Sequence, residues 1–148
     1  MGKIEDLIGQ RVYYDTNIFV YIIEGFKEYE SLLNSLFAMM ENEEMTVITS
    51  ELSLAEALVY PIANNIHADQ ELYKGLFSQD SPVEVYPVTR QILIQSAEHR
   101  ALVGDKLPDA IHMATALLSG CQYIISNDTG LKPPSGLPVY TLSDLSVE

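Results

Sequence analysis

Two hydrophobic periods alternate along this chain, and that alternation constrains its fold more than any other feature. Short apolar runs rich in Val, Ile and Tyr occur at residues 11–14, 45–49, 83–86, 123–126 and 138–140. Each run suits a strand, and the longer stretches between them repeat their apolar residues every three or four positions, as one face of a helix does. Residues 27–42 place Leu32, Leu33, Leu36, Phe37 and Met40 on one side, and residues 51–66 do the same with Leu52, Ala55, Leu58, Val59 and Ile62. Pro61 is expected to kink or end the first part of that second helix, because it lacks an N–H and crowds the preceding turn. Shorter helices are expected over 68–77 and 91–103, the latter capped by Gly104, and Pro108 opens another that runs through Leu118 to Gly120. Strands alternating with helices predict an α/β domain with a mostly parallel sheet.

A length of 148 residues supports a single domain spanning 1–148, large enough to bury a core without disulfides or structural metal. The lone Cys121 has no internal partner, and it reads as a small buried hydrophobe. The Pro- and Gly-rich stretch 132–136 is a surface loop, too short to join two domains. Residues 18–23 form the longest apolar run, far short of the ~20 residues needed to cross a bilayer, so no membrane role is expected. Glu5 and Asp6 occupy the place where a secretory signal would be apolar, so a cytoplasmic location is expected. Eight Lys and Arg against 21 Asp and Glu give a net charge of −13, which argues against a general, sequence-independent grip on nucleic acid.

Four carboxylates stand where strands end or helices begin. Asp15 follows the first strand, Glu56 lies early in the helix after the second, Asp109 follows Pro108, and Asp128 follows the strand at 123–126. Each has an ordinary structural explanation. Asp15 suits a helix cap, Glu56 can complete a capping box with Ser53, Asp109 is favoured by the helix dipole, and Asp128 suits a turn. Jointly they say more. Ligands bind at the carboxyl ends of parallel strands, and helix starts share that edge, so the four acids are expected to gather there. Gathered carboxylates repel one another, and a divalent cation is the simplest partner; oxygen donors favour Mg²⁺ or Mn²⁺ over zinc.

With these segments in view, the chain resembles the PIN-domain family over nearly its whole length. The resemblance rests on the strand into Asp15-Thr16-Asn17, on Val47-Ile48-Thr49-Ser50-Glu51-Leu52 leading to Glu56, on Leu107-Pro108-Asp109-Ala110-Ile111-His112-Met113-Ala114-Thr115-Ala116, and on Ser126-Asn127-Asp128. It is most like the VapC-like small single-domain members, many of them ribonuclease toxins of toxin–antitoxin pairs. The resemblance implies a three-layer α/β/α sandwich around a sheet of four to five strands. It implies an Mg²⁺- or Mn²⁺-dependent endoribonuclease, with Asp15, Glu56, Asp109 and Asp128 as the acidic quartet that holds the metal and activates water. Asn17 and Ser126 match supporting polar positions, and the implied products carry a 5′ phosphate and a 3′ hydroxyl. RNA as substrate, an antitoxin as partner and a homodimer follow in the same way. The stretch Thr129-Gly130-Leu131 departs from the family pattern, which often has a charged residue there.

Arg100, Lys106 and Lys132 lie nearest the acidic motifs in sequence and are the expected phosphate contacts. Asp105 reads as a solvated loop charge, His67 and His99 as surface residues, and His112 as a packed or hydrogen-bonding residue. Tyr13 or Tyr14 is available to stack on a base. The alternative to a nuclease is a PIN-fold module that binds RNA or protein without cutting; the intact quartet favours catalysis. A haloacid-dehalogenase-like phosphatase would need a second aspartate two residues after Asp15, where Asn17 stands, and the acids and late lysine of a response-regulator receiver are not apparent.

Overall fold

In the computed structural model, which describes residues 2–146, the elements run in this order. They are β1 (Gly2–Lys3), β2 (Arg11–Tyr14), α1 (Thr16–Glu24), α2 (Glu30–Glu41), β3 (Thr46–Ser50), α3 (Glu51–Ala63), α4 (His67–Leu76), β4 (Glu84–Tyr86), α5 (Arg90–Val103), α6 (Leu107–Leu118), β5 (Tyr123–Ile125), β6 (Val139–Tyr140) and β7 (Leu145–Ser146). All five expected strands form, and they make one parallel sheet in the order β4-β3-β2-β5-β6. Helices cover both faces, giving the expected α/β architecture.

Register explains how the layers share the strands. Tyr13 sits opposite Ile48 and Ile124, and these three pack against Met113 and Ala116 of α6. Val12 and Tyr14, one residue to either side, point to the other face, where Ile18 and Phe19 of α1 and Leu33, Leu36 and Met40 of α2 meet them. Helix α5 rests on α6 through Ile92 against Ile111 and Ala114. Tyr13 and Tyr14 are fully buried, which rules out the expected base stacking. Burying a large apolar side chain stabilises by roughly 1.5–3 kcal/mol, and the Tyr14 hydroxyl is satisfied by donating to the Leu36 carbonyl at 3.1 Å.

The differences from expectation have local causes. Helix α1 covers the apolar run 18–23, whose continuous hydrophobicity suits a buried strand as well as a helix. Asp15 caps its start and Gly25, at φ 92°, ends it, a conformation that side chains with a Cβ rarely adopt. Residues 27–42 divide into a 3₁₀ turn (Lys27–Tyr29) and α2. Helix α3 ends at Ala63, with Pro61 buried in its last turn. Strands β1 and β7 form a separate parallel pair that joins the two ends of the chain. Two-residue strands carry no readable period, but Gly2 has a steric reason: a Cβ there would lie 2.9 Å from the Tyr140 ring. No helix among the described residues is long and apolar enough to cross a membrane.

Candidate active site

Strands β3 and β4 lie to one side of β2, and β5 and β6 to the other, so the strand order reverses between β2 and β5. In open parallel sheets the crevice beyond that reversal is where ligands bind. There Asp15, Thr16, Asn17, Val20, Glu56, Asp109, His112 and Asp128 line one cleft of about 300 Å³. Four acids from four separate segments therefore share one concavity.

Asp15 is the most constrained of them. Its Oδ1 accepts the Thr16 N–H at 2.8 Å, as an N-cap does, while Oδ2 accepts the Ser126 hydroxyl at 2.7 Å. Ser126 is itself fully buried, and its oxygen accepts the Asp128 N–H at 3.0 Å. One hydroxyl thus ties the Asp15 carboxylate to the backbone at Asp128. Asn17 reinforces the link: its Oδ1 accepts the Asn127 N–H at 3.2 Å, and its Nδ2 lies 3.5 Å from Asp15 Oδ2. Asp128 also accepts the Gly130 N–H at 2.9 Å, so it closes its own turn as well as facing the cleft.

Glu56 does not complete a capping box. Ser50 caps α3 by accepting the Leu52 N–H at 3.0 Å, which leaves Glu56 in the helix's second turn and directs it to the cleft. Its Oε1 accepts the Thr16 hydroxyl at 2.7 Å and pairs with His112 Nε2 at 2.7 Å. The other imidazole nitrogen, Nδ1, meets the Tyr13 hydroxyl at 2.6 Å in the core. His112 is almost wholly buried, as its expected hydrogen-bonding role requires, and its Nε2 also lies 3.6 Å from Asp15 Oδ1.

The charges respond to one another. Burial raises the Asp109 carboxyl above the ordinary carboxylate range, and the nearby Asp128 and Asp15 raise it further. For Glu56, burial opposes ionisation, yet the His112 and Thr16 hydrogen bonds outweigh it and hold the carboxyl low. For His112, burial disfavours the cation, but the Glu56 hydrogen bond and the Asp15, Glu56 and Asp109 charges prevail and raise it. The site therefore contains an excess of negative charge that one imidazole offsets only in part.

Those donors fit a hard divalent cation: all are carboxylates, no thiol faces the cleft, and the repulsion felt by Asp109 is what a cation would relieve. The fit lies in the chemistry of the donors, not in a closed cage. Among the described residues no three His, Cys, Asp or Glu side chains converge closely enough to enclose an ion.

The three expected phosphate contacts lie outside the cleft lining and collect around the turn between α5 and α6. Arg100 Nε donates to the Asp105 carbonyl at 3.0 Å, Lys132 Nζ donates to the Val103 carbonyl at 2.9 Å, and Lys106 is exposed at the N-cap of α6. Asp105 and His99 depart from their expected exposure. Asp105 and His99 are both buried, and they face each other with His99 Nε2 3.1 Å from Asp105 Oδ2. The helical period of α5 brings His99 onto its inward side, and tertiary packing over the turn excludes water from both groups. His67 is exposed, as expected, and Cys121 is partly buried. The sequence pattern does not single out Thr16 or the Tyr13 hydroxyl as part of the site; only the position of Thr16 directly after Asp15 points to its role.

Together the reversed strand order and the acid-lined cleft define a parallel α/β protein with a polar site at its switch point. Residues 12–135 match the family model of the PIN domain, and the chain belongs to that family. Its fold is similar to a toxin–antitoxin complex from Klebsiella pneumoniae, with a TM-score of 0.64 and 24% identity over 85% of this chain and 94% of that one. It is likewise similar to VapBC2 from Rickettsia felis bound to a promoter DNA fragment, with a TM-score of 0.67 and 18% identity over 88% and 98% of the two chains. A third likeness is to Mycobacterium tuberculosis VapC20, a Sarcin-Ricin loop cleaving toxin, with a TM-score of 0.66 and 18% identity over 81% and 92%. No curated protein sequence matches the chain.

Proposed function

We propose that this protein is a metal-dependent endoribonuclease of the VapC-like kind, a toxin restrained by an antitoxin. The observation that carries the proposal is the gathering of Asp15, Glu56, Asp109 and Asp128, from four distant segments, along one cleft at the strand-order reversal. Family membership supports it, as does the likeness to toxin–antitoxin structures. Asp15, Asp109 and Asp128 would hold Mg²⁺ or Mn²⁺, with the Glu56 oxygen that Thr16 and His112 leave free. A bound cation of this kind supplies Lewis acidity to the scissile phosphate and lowers the pKa of an attacking water.

The chain's own residues account for the rest. Ser126 ties the Asp15 carboxylate to the backbone of Asp128, so the two acids are held on one rigid frame when charge develops. His112 and Thr16 keep Glu56 ionised and oriented. Arg100, Lys106 and Lys132 put three of the eight basic side chains beside the turn that precedes Asp109, and we assign them to phosphates flanking the cleft. In a chain of net charge −13, such a local patch makes binding selective for RNA that reaches it. The exposed Val59, Tyr60 and Ile62 of α3 are the apolar residues we assign to a homodimer contact.

The test is cleavage by antitoxin-free protein. RNA should be cut with Mg²⁺ or Mn²⁺ and not in excess chelator, and Asp15→Asn should abolish cutting while leaving the circular dichroism spectrum intact. Cleavage that persists in chelator would defeat the metal mechanism. Failure to cut any RNA with any divalent ion would favour the non-catalytic binding module instead.

A further inference from the structure

The turn between α5 and α6 is secured from three directions, and one of its anchors has no part in the site as described. Gly104, at φ 73°, ends α5 with its N–H donating to the Arg100 carbonyl at 2.8 Å. Arg100 Nε then holds the Asp105 carbonyl from the helix side, and Lys132 holds the Val103 carbonyl from the loop that follows Asp128. Beneath them lies the His99–Asp105 pair. The Asp105 side chain is about 2% exposed and that of His99 about 10%. The two approach to 3.1 Å without an aligned hydrogen bond, and neither Asp105 carboxylate oxygen nor His99 Nε2 has a hydrogen-bond partner among the described residues.

A pair like this is an inefficient source of stability. Two polar groups lose their hydration on burial, and apolar residues of similar volume often serve as well or better. What a buried pair does supply is a defined geometry, because each partner tolerates few positions for the other. Here the geometry it defines is consequential. Asp105 lies four residues before Asp109, and the turn is tied through Lys132 to the loop carrying Asp128. The turn therefore controls where α6 begins relative to the exit of β5.

We infer that His99 and Asp105 are positioning residues: the buried pair locks the α5–α6 turn, and through it the placement of Asp109 opposite Asp128, so that the cation of the proposed site is bound tightly. The inference rests on the metal reading given above. It is separable from a simple effect of charge, because the sign differs. Removing a histidine while Asp105 stays ionised takes no negative charge away from the cation, whereas loosening the turn weakens its binding.

The experiment measures Mn²⁺ affinity of the full chain by electron paramagnetic resonance of the free ion, alongside thermal unfolding. His99→Leu should lower affinity about tenfold, the lower end of what loss of supporting contacts around a metal costs. His99→Gln, which keeps an N–H donor toward Asp105, should recover most of that loss. Because His99→Leu strands a buried carboxylate, the loss is also read in His99→Leu/Asp105→Asn, where both members of the pair are gone and no carboxylate is stranded. Wild-type affinity in His99→Leu, or in that double variant, would overturn the inference alone. Absence of Mn²⁺ binding by the wild-type chain would overturn the metal reading, and the inference with it.

Discussion

Tyr13→Phe isolates the buried chain from Tyr13 through His112 to Glu56. The substitution deletes one oxygen and leaves a ring of nearly the same shape against Ile48, Met113 and Ile124. The Tyr13 hydroxyl is neutral, since burial, and then the Asp15 charge, push its pKa well up. With His112 neutral, that hydroxyl donates to Nδ1, so the imidazole hydrogen resides on Nε2 and points at Glu56 Oε1. When His112 is protonated, Nδ1–H donates to the hydroxyl oxygen, and Nε2–H still faces Glu56. In either state the phenol fixes the ring. A buried neutral hydrogen bond contributes about 1 kcal/mol, and a stranded buried nitrogen costs about 1–3 kcal/mol, so Tyr13→Phe should destabilise by about 2 kcal/mol. For a chain of this size that corresponds to a fall in Tm of about 4–8 °C. Urea unfolding in chelator measures the first quantity, and ¹⁵N chemical shifts of His112 report the hydrogen's location. The wild type should show a hydrogen on Nε2 throughout the titration, and the variant a mixture of tautomers when neutral. A loss below about 0.5 kcal/mol, on the scale of ordinary surface substitutions, together with an unchanged tautomer, would refute this account of the relay.

Three further outcomes follow from the charges. Asp109 has a folded pKa above its unfolded value, so its ionisation costs the metal-free protein stability as pH rises through that window; Asp109→Asn should raise Tm in chelator while abolishing cleavage, and a lower Tm would contradict the proposed crowding. His112 has a folded pKa raised above its ordinary 6.5, so its stabilisation is complete below 6.5 and is lost as pH rises through the folded value. In chelator, the stability gap between wild type and His112→Asn should therefore narrow from pH 6 upward, and a gap that widens over that range would be inconsistent with it. Reversing Arg100, Lys106 and Lys132 to Glu should weaken RNA binding and flatten its dependence on salt, and unchanged cleavage at low salt would remove them from the substrate path.

The hydrophobic periods of this sequence carried most of the architecture because strand and helix bury different faces, and the faces are written every second or every third and fourth residue. Tyr13, Ile48 and Ile124 show the limit of that legibility. Their apolar character identifies strands, but only the paired register places them together against α6 and makes Tyr13 a buried partner of His112 instead of a surface for a base. The run 18–23 shows another limit, since unbroken hydrophobicity does not distinguish helix from strand.

The sequence by itself determined an α/β chain, its acidic balance, and four carboxylates at the ends of its elements. Those are properties of local pattern and composition, and they need no knowledge of what lies across the molecule. Tertiary structure alone decided that strand order reverses between β2 and β5, that Ser126 bridges Asp15 to Asp128, and that Glu56 is held by a histidine 56 residues further along. It also decided that Asp105, an ordinary loop acid by sequence, is buried against His99. The reason is the same in each case: burial and hydrogen bonding are set by residues far away in the chain, and a charge is costly or useful only according to what the fold places beside it.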